Sequence, residues 1–540
     1  MAAKKYLILS AAMIIVLVLI TLSCGQAQTT TSSPVSTKSP TATGVQSSPS
    51  PSGPQYGGVL RGITSASFPK VLGLPTEFAP ADSIYALPAL ERLNEWDEKG
   101  NLIPVLAESW EGDPVNMTIT WHLRKGVKFH DGTDFNAEAV RWNFQQSLDA
   151  SRLTDGQYVK SLEVIDPYTL KMHLTAYNRM MFENYGWRQM TSPTAFEKAG
   201  GGDIEKSKEW ARANSVGTGP FKVAEFVRDT SIKYVKNTNY WRTGMPYLDA
   251  MEFRYIPDTM TAAATMEAKQ ADIWVDVAAV QNMLDLEKKG LKINWGPGMF
   301  MALLPNSSNP NSPTSKKQVR EAIEYAIDRP ALVNMVGYGK YEPLTQIASS
   351  KSPFFMKDFN PRPYNPQKAK ELLAAAGYPN GFKTQIMTTS GSQDAVTAIK
   401  AFLAEVNIDA SIDIADMGRY FGEVFGTGWK ADLVFSASGI NPDGTDIFVH
   451  YGPNPMTFRT GNIYKSPEYL ALCEKALHTY DDNAVISVLK DAVKQAAADA
   501  MIIPLYRTVN GAVMQPYVHS DYFIIHGVIW TSYDDWMEKH

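Results

Sequence analysis

Apolar and polar positions along this chain repeat with two spacings, and each predicts its own kind of element. Alternation along residues 117–123 predicts a strand, and the runs 161–165 and 169–174, turned around Asp166-Pro167-Tyr168, predict a strand pair. A second hairpin is predicted from 221–227 and 231–235, joined by Arg228-Asp229-Thr230. Spacings of three and four predict helices. Val140, Phe144 and Leu148 fall on one face behind Asn136, a residue able to cap the first turn, and Val319, Ile323, Ala326 and Ile327 repeat the pattern. Asn365-Pro366 opens a third helix, with proline at its first position, and Gly377 closes it; Ser466-Pro467-Glu468 opens a fourth. Both kinds of segment alternate past Tyr56-Gly57-Gly58 without internal repeats, so a mixed α/β architecture is expected.

The N-terminus carries a different pattern. Lys4 and Lys5 precede an uncharged, mostly apolar run over 6–20, followed by Thr21-Leu22-Ser23-Cys24-Gly25. A membrane span needs about 20 residues, so this shorter run reads as an export signal over 1–23; a permanent helical anchor is the alternative. From 26 to 55 the chain turns to Ser, Thr, Pro and Gln with Lys38 as the only charge. Such a stretch buries too little to fold and is expected to be a disordered tether over 24–55.

Composition narrows the partners. The chain has 540 residues, 44% of them hydrophobic, with 51 Lys+Arg against 56 Asp+Glu. That length calls for more than one core, at roughly 100–200 residues per domain, and excludes collagen-like and wholly disordered classes. Removing the first 23 residues, which hold two lysines and no acid, takes the net charge from −5 to −7. A nucleic-acid partner is not expected from that balance. Only two cysteines occur, and Cys473, in the apolar-periodic run 469–477, has no plausible partner; it reads as a small buried residue.

Candidate chemistry is sparse. No H-E-x-x-H, G-x-S-x-G or G-x-x-x-x-G-K-[ST] motif occurs, so zincin, hydrolase and P-loop chemistry lack their sequence support. His122 and His130 flank Arg124-Lys125-Gly126, whose charges oppose divalent metal capture, and a turn or cap role is expected for them. Asp131-Gly132 reads as a turn, and the pairs Asp481-Asp482 and Asp534-Asp535 read as solvated loop ends. No catalytic residue, cofactor or metal is therefore expected.

Several long motifs in a fixed order carry a resemblance. LAESWEGDPVNMTITWHLRKGVKFHDGTDFNAEAVRWNF over 106–144 is the first. VGTGPFKVAEF, NTNYWRTGMPYLDAMEFRYIPD and ADIW follow within 216–274, then VREAIEYAIDR, YNPQKAKELLAAAGYPNGF, SPEYLALCEKA and MIIPLY. Together these resemble the bacterial extracellular solute-binding proteins of the peptide and nickel type, family 5, from about Tyr56 to the C-terminus. Ser23-Cys24 behind the apolar run is also similar to a bacterial lipobox, although Thr21 stands where the family usually has Leu. That likeness implies lipidation of Cys24; ordinary signal cleavage is the alternative.

The resemblance implies a two-lobed type II periplasmic-binding-protein fold (cluster C) with an extra subdomain. Lobe one would comprise 56–302 plus 506–540, with the subdomain near 89–192, and lobe two 303–505; the crossings near 300–306 and 504–510 would form a hinge. It implies no enzyme but capture of a peptide or small-molecule solute by a monomer, and its delivery to the permease subunits of an ABC importer. The protein would stand at the outer face of the cytoplasmic membrane on its lipid anchor. A sensory subunit, or an exported enzyme or chaperone on the same scaffold, is the alternative.

Trp110, Trp121, Phe129, Trp142 and Trp241 lie in framework motifs and are expected to pack the core. Ligand contacts are sought in less regular stretches: Ser65 and Phe68 in an early loop, Trp187 in Tyr185-Gly186-Trp187, Phe300 and Met301 at the crossing, and Trp429. Ser436, Ser438, Asn441 and Asp443 follow in the loop after an expected strand over 432–435. Many peptide-binding relatives carry an aspartate here that pairs with a peptide's ammonium, and Ile440 stands at that position. An apolar residue cannot neutralise a buried ammonium, so a peptide with a free N-terminus would need another acid, such as Asp443 or Asp446.

Overall fold

A computed structural model describes residues 53–66, 68–97, 101–153, 155–439, 447, 450–452, 461–521, 530 and 532–539. Cys24, Ile440, Asn441, Asp443 and Asp446 lie outside the described residues. Among the described residues no helix is long and apolar enough to cross a membrane.

The backbone is organised by one large sheet. Its strands run in the order Ile408–Ala415, Phe382–Thr389, Leu433–Ser438, Lys292–Pro305, Ile503–Met514, Ile273–Val277, Val59–Thr64, Ala250–Tyr255, Ser231–Lys236 and Phe221–Val227. The short strand Glu342–Pro343 also pairs with Ile503–Met514. Two long antiparallel strands, Lys292–Pro305 and Ile503–Met514, run through both halves of the sheet. Leu433–Ser438 pairs with the end of the first of them, Phe300 to Pro305, whereas Ile273–Val277 pairs with the end of the second, Gly511 to Met514.

Period-two alternation on the long strand divides the core. Phe300, Ala302 and Leu304 enter one apolar cluster with Val434, Trp429, Tyr469 and Leu489, while Met301 and Leu303 enter another with Val319, Ile323, Ile386 and Ile399. Across the sheet, Leu60, Tyr85, Phe221, Tyr234 and Phe253 form a further cluster. A separate four-stranded antiparallel sheet runs in the order Ala107–Asp113, Thr118–Leu123, Thr169–Leu174, Val159–Asp166. Trp121, Leu170 and Met172 from it pack on Val140 and Phe144 of the helix Ala137–Asp149. The helix starts where expected because Asn136 Oδ1 accepts from Ala139 N at 3.0 Å. Asn365 and Ser466 cap the helices Pro366–Ala375 and Pro467–Leu477 in the same way.

The hairpin Phe221–Val227/Ser231–Lys236 turns through Asp229 at φ 55°, a conformation that Asp tolerates. His130 is buried in a turn, its Nε2 2.9 Å from the Gly219 carbonyl, and Gly132 supplies φ 88°. Burial pushes the His130 imidazole down to about 4. Cys473 is fully buried. Two expectations are corrected. The strand expected over 432–435 runs on to Ser438, because its backbone pairs with Lys292–Pro305 as far as Phe300. Asp535 is not a solvated loop end: it is 1% exposed and accepts from Trp530 Nε1 at 2.7 Å, while Asp481 caps an exposed helix start.

Candidate functional site

The strand directions create the site. Val59–Thr64 runs parallel to both Ala250–Tyr255 and Ile273–Val277, so Thr64, Tyr255 and Val277 share one carboxyl-terminal edge. Phe382–Thr389 runs parallel to Ile408–Ala415 and Leu433–Ser438, so Thr389, Ala415 and Ser438 share another. Leu433–Ser438 and Ile273–Val277 are each antiparallel to the long strand they join, and the two long strands are antiparallel to each other. The two carboxyl edges therefore point toward one another. Val277 stands level with Gly511 and Trp295, Ser438 with Phe300. At roughly 3.3 Å per residue the edges face each other across about 15 Å of long-strand backbone. Crevices outside the carboxyl ends of parallel strands are where open α/β sheets bind ligands.

The connecting backbone is irregular at this level. The ladder between the long strands shifts register between Pro297 and Phe300, leaving Met299 half-exposed. Met299 N donates to Thr508 Oγ1 at 2.8 Å, and a Cβ on Gly298 would lie 2.2 Å from that oxygen, so the two crossings touch where only glycine fits.

The first edge carries buried polar groups and a half-buried acid. Ser65 Oγ is buried without a hydrogen-bond partner, and Thr64 Oγ1 and Tyr85 Oη are buried in interaction with each other. Asp276, one residue past the Val275 that pairs with Thr64, sits at φ 61° and makes no ion pair or hydrogen bond among the described residues. Burial alone pushes its carboxyl up to about 6. Burial raises the Tyr85 phenol, a hydrogen bond with Thr64 opposes that rise, and the Asp276 charge adds to it. Tyr85 is held from behind, its carbonyl accepting from Tyr234 Oη at 2.5 Å and its ring packing on Phe253 at 5.8 Å. On the second edge Thr388 Oγ1 and Ser436 Oγ are buried and unpartnered.

The residues singled out from sequence fall into several places. Ser65 lies on the first edge. Phe68 packs between Tyr85 and Tyr255 with ring centroids at 5.5 and 5.8 Å, only 6% exposed, so it backs the edge from the core. Phe300, Ser436 and Ser438 come together by pairing, Phe300 beside Ser438 and Ala302 beside Ser436. Met301 points to the opposite face, in the cluster with Ile323 and Tyr506. Trp429 precedes the far end of Leu433–Ser438, where its carbonyl accepts from Asn306 Nδ2 at 3.3 Å, and it fills the interior instead of edging the gap. Trp187 lines a separate cavity of about 300 Å³ with Ser83, Gln189 and Arg92, whose guanidinium stacks on the indole at 4.4 Å.

Thr64, Tyr85 and Asp276 were not singled out from sequence. The only local signal was an acid ending the apolar run Ile273-Trp274-Val275. The other concentration of acids, Asp521, Asp534 and Asp535, brings carboxylate oxygens within 4.8 Å of one another. Burial and the neighbouring Asp521 raise the Asp535 carboxyl well above the usual range.

Comparison with known proteins follows the same lines. Residues 101–453 match the family described as bacterial extracellular solute-binding proteins, family 5 Middle. The glutathione-binding protein GsiB of Shigella dysenteriae serotype 1 (strain Sd197) is 31% identical over 432 residues, 76% of this chain and 81% of that protein. Periplasmic binding protein DppA of Helicobacter pylori, solved with the peptide STSA, superposes with TM-score 0.75 at 24% identity, over 90% of this chain and 99% of the other. NikA of Brucella suis, solved with Fe(III)-EDTA, gives TM-score 0.75 at 21% identity, over 88% and 99%. At those identities the two structures speak for the fold alone, that of the type II periplasmic binding proteins.

Proposed function

This chain belongs to the bacterial extracellular solute-binding proteins of family 5, the substrate-binding components of ABC importers, and we propose that it captures an oligopeptide or another small organic solute by hinge closure. The observation that carries this reading is the pair of carboxyl-terminal strand edges facing each other across two touching crossings. A solute bridging both edges makes contacts in the closed arrangement that it cannot make in an open one, and so favours closure. In this reading lobe one comprises 56–302 plus 506–540, with the sheet around Trp121 as a subdomain near 89–192, and lobe two comprises 303–505. The apolar cluster around Trp121, distinct from that around Phe253, supports the subdomain.

The monomer delivers its ligand to the permease from the outer face of the cytoplasmic membrane, tethered through lipidated Cys24; Ser23-Cys24 behind the apolar run supports the anchor. If Cys24→Ser leaves palmitate labelling and membrane attachment unchanged, the anchor is wrong. Closure is tested by X-ray scattering on the full chain with a panel of peptides, glutathione, sugars and metal chelates. A ligand at 100 times its Kd stabilises the folded state by about 2.7 kcal/mol, so thermal shift identifies which probe binds. A binder that raises Tm at saturation without compacting the protein would refute hinge closure.

A further inference from the structure

We infer that Asp276 is the anchor for a positively charged ligand group, a primary ammonium held by its half-buried carboxylate at the strand edge that Thr64, Ser65 and Tyr85 back. The inference rests on the cleft reading above and names the chemistry that one of its walls selects.

Sequence and topology bring these four residues together from separate elements. Val59–Thr64 ends at Thr64 beside Val275, and Ser65 and Asp276 are the next residues on the two chains. Tyr85 arrives from the helix Pro80–Ala86, near enough for the Asp276 charge to oppose its ionisation. Thr64 and Tyr85 are 0% and 2% exposed.

The carboxylate decides the ligand class. An ionised carboxylate only accepts hydrogen bonds, and hydroxyl oxygens accept as well as donate. The two oxygens of the Asp276 carboxylate accept from the N–H donors of a primary ammonium and carry its countercharge. Among the described residues no basic side chain pairs with Asp276, and burial is the influence acting on its carboxyl. A buried carboxylate without partner is costly, whereas the same group paired with a cation and hydrogen-bonded is not. An anionic ligand group would repel that carboxylate, and a neutral donor would hydrogen-bond to it without neutralising its charge.

The strand end also fixes where the charge points. Asp276 occupies φ 61° at an irregularity in the ladder between Trp274 and Val277, a backbone state open to Asp and Asn but strained for most side chains. Asp276→Asn therefore keeps the backbone and removes only the charge.

The test titrates the full chain and its Asp276→Asn and Tyr85→Phe variants with three amine-bearing probes, trialanine, glutathione and spermidine, and with N-acetyl-trialanine. Far-ultraviolet circular dichroism and Tm confirm that each variant is folded. The expected result is that at least one amine-bearing probe binds the wild type, and that Asp276→Asn weakens it about 30-fold or more, the usual cost of removing one partner of a buried charge pair. Tyr85→Phe is expected to weaken the same probe less. Equal affinity of the binding probe for wild type and Asp276→Asn overturns the inference and leaves the cleft reading intact. Failure of all three amine-bearing probes to bind the wild type also overturns it. If sugars or metal chelates then bind with compaction, the cleft reading survives; if nothing compacts the protein, that reading falls as well.

Discussion

An unpaired carboxylate in a half-buried pocket should cost the ligand-free protein stability, and Asp276→Asn should return it. The Asp276 carboxyl is lifted from an ordinary 3.8 to about 6 by burial, with no hydrogen bond or ion pair set against it. Such a lift corresponds to about 3 kcal/mol lost by the charged form on folding. Its sign follows from linkage: a carboxyl raised in the folded state destabilises wherever it is ionised. The penalty is complete above about pH 6, fades between about 6 and 3.8, and is absent below that window. Asn has nearly the same shape and accepts the same positive φ, so backbone strain does not enter. Ligand-free wild type and variant would be unfolded in guanidinium chloride at pH 8, 6 and 4. The variant should gain about 2–3 kcal/mol at pH 8 and only about 0.5 kcal/mol at pH 4. A gain of equal size at pH 8 and pH 4 would show that charge is not its cause, and no gain at pH 8 would refute the unpaired carboxylate itself.

Three further outcomes test other parts of the fold. Arg362 bridges buried Glu324 at 3.2 Å and Glu321 at 3.0 Å, so Arg362→Met should cost about 3 kcal/mol or more by leaving Glu324 with Arg329 alone, measured by chemical denaturation. Gly298→Ala places a methyl 2.7 Å from the Thr508 carbonyl carbon; it should lower stability by about 1–3 kcal/mol and reduce ligand-induced compaction in scattering. Burial pushes the Cys473 thiol up to about 12, so in a Cys24→Ser background maleimide should label the protein at pH 8 only after denaturation.

Local chemistry carried much of the fold into the sequence. Asn136, Asn365 and Ser466 announce helix starts because each side chain accepts from a backbone N–H three residues on. Arg228-Asp229-Thr230 announces its hairpin because Asp tolerates positive φ. Properties that depend on distant partners were not legible. Ser436 and Ser438 read as loop residues because serine breaks the apolar run, but pairing with Phe300 and Ala302 carries the strand through them. Asp535 read as solvated because an adjacent acid pair suits a loop end, whereas Trp530 donates to its buried carboxylate. Trp429 and Phe68 read as ligand-facing aromatics, and the interior claimed both.

Asp276 shows why the cleft is hardest to read from one chain segment. Along Ile273-Trp274-Val275-Asp276-Val277 it is an acid near the end of an apolar strand, and many strands end so. Its meaning comes from a partner more than 200 residues away: Val59–Thr64 brings two hydroxyls beside it, and the helix Pro80–Ala86 adds a third. Around the two facing edges the hydroxyls of Thr64 and Tyr85 are buried in interaction with each other, and those of Ser65, Thr388 and Ser436 are buried without partners. Each such group costs about 1–3 kcal/mol when left unmade. Groups serving only the fold would gain by replacement with apolar residues of similar shape, since removing a polar atom also removes its desolvation cost. Those at the two facing edges, beside the half-buried Asp276 carboxylate, fit surfaces completed by a ligand. The differential contacts such a ligand makes in the closed form are what shift the hinge equilibrium, and a ligand that satisfied only the Asp276 edge would bind without closing it.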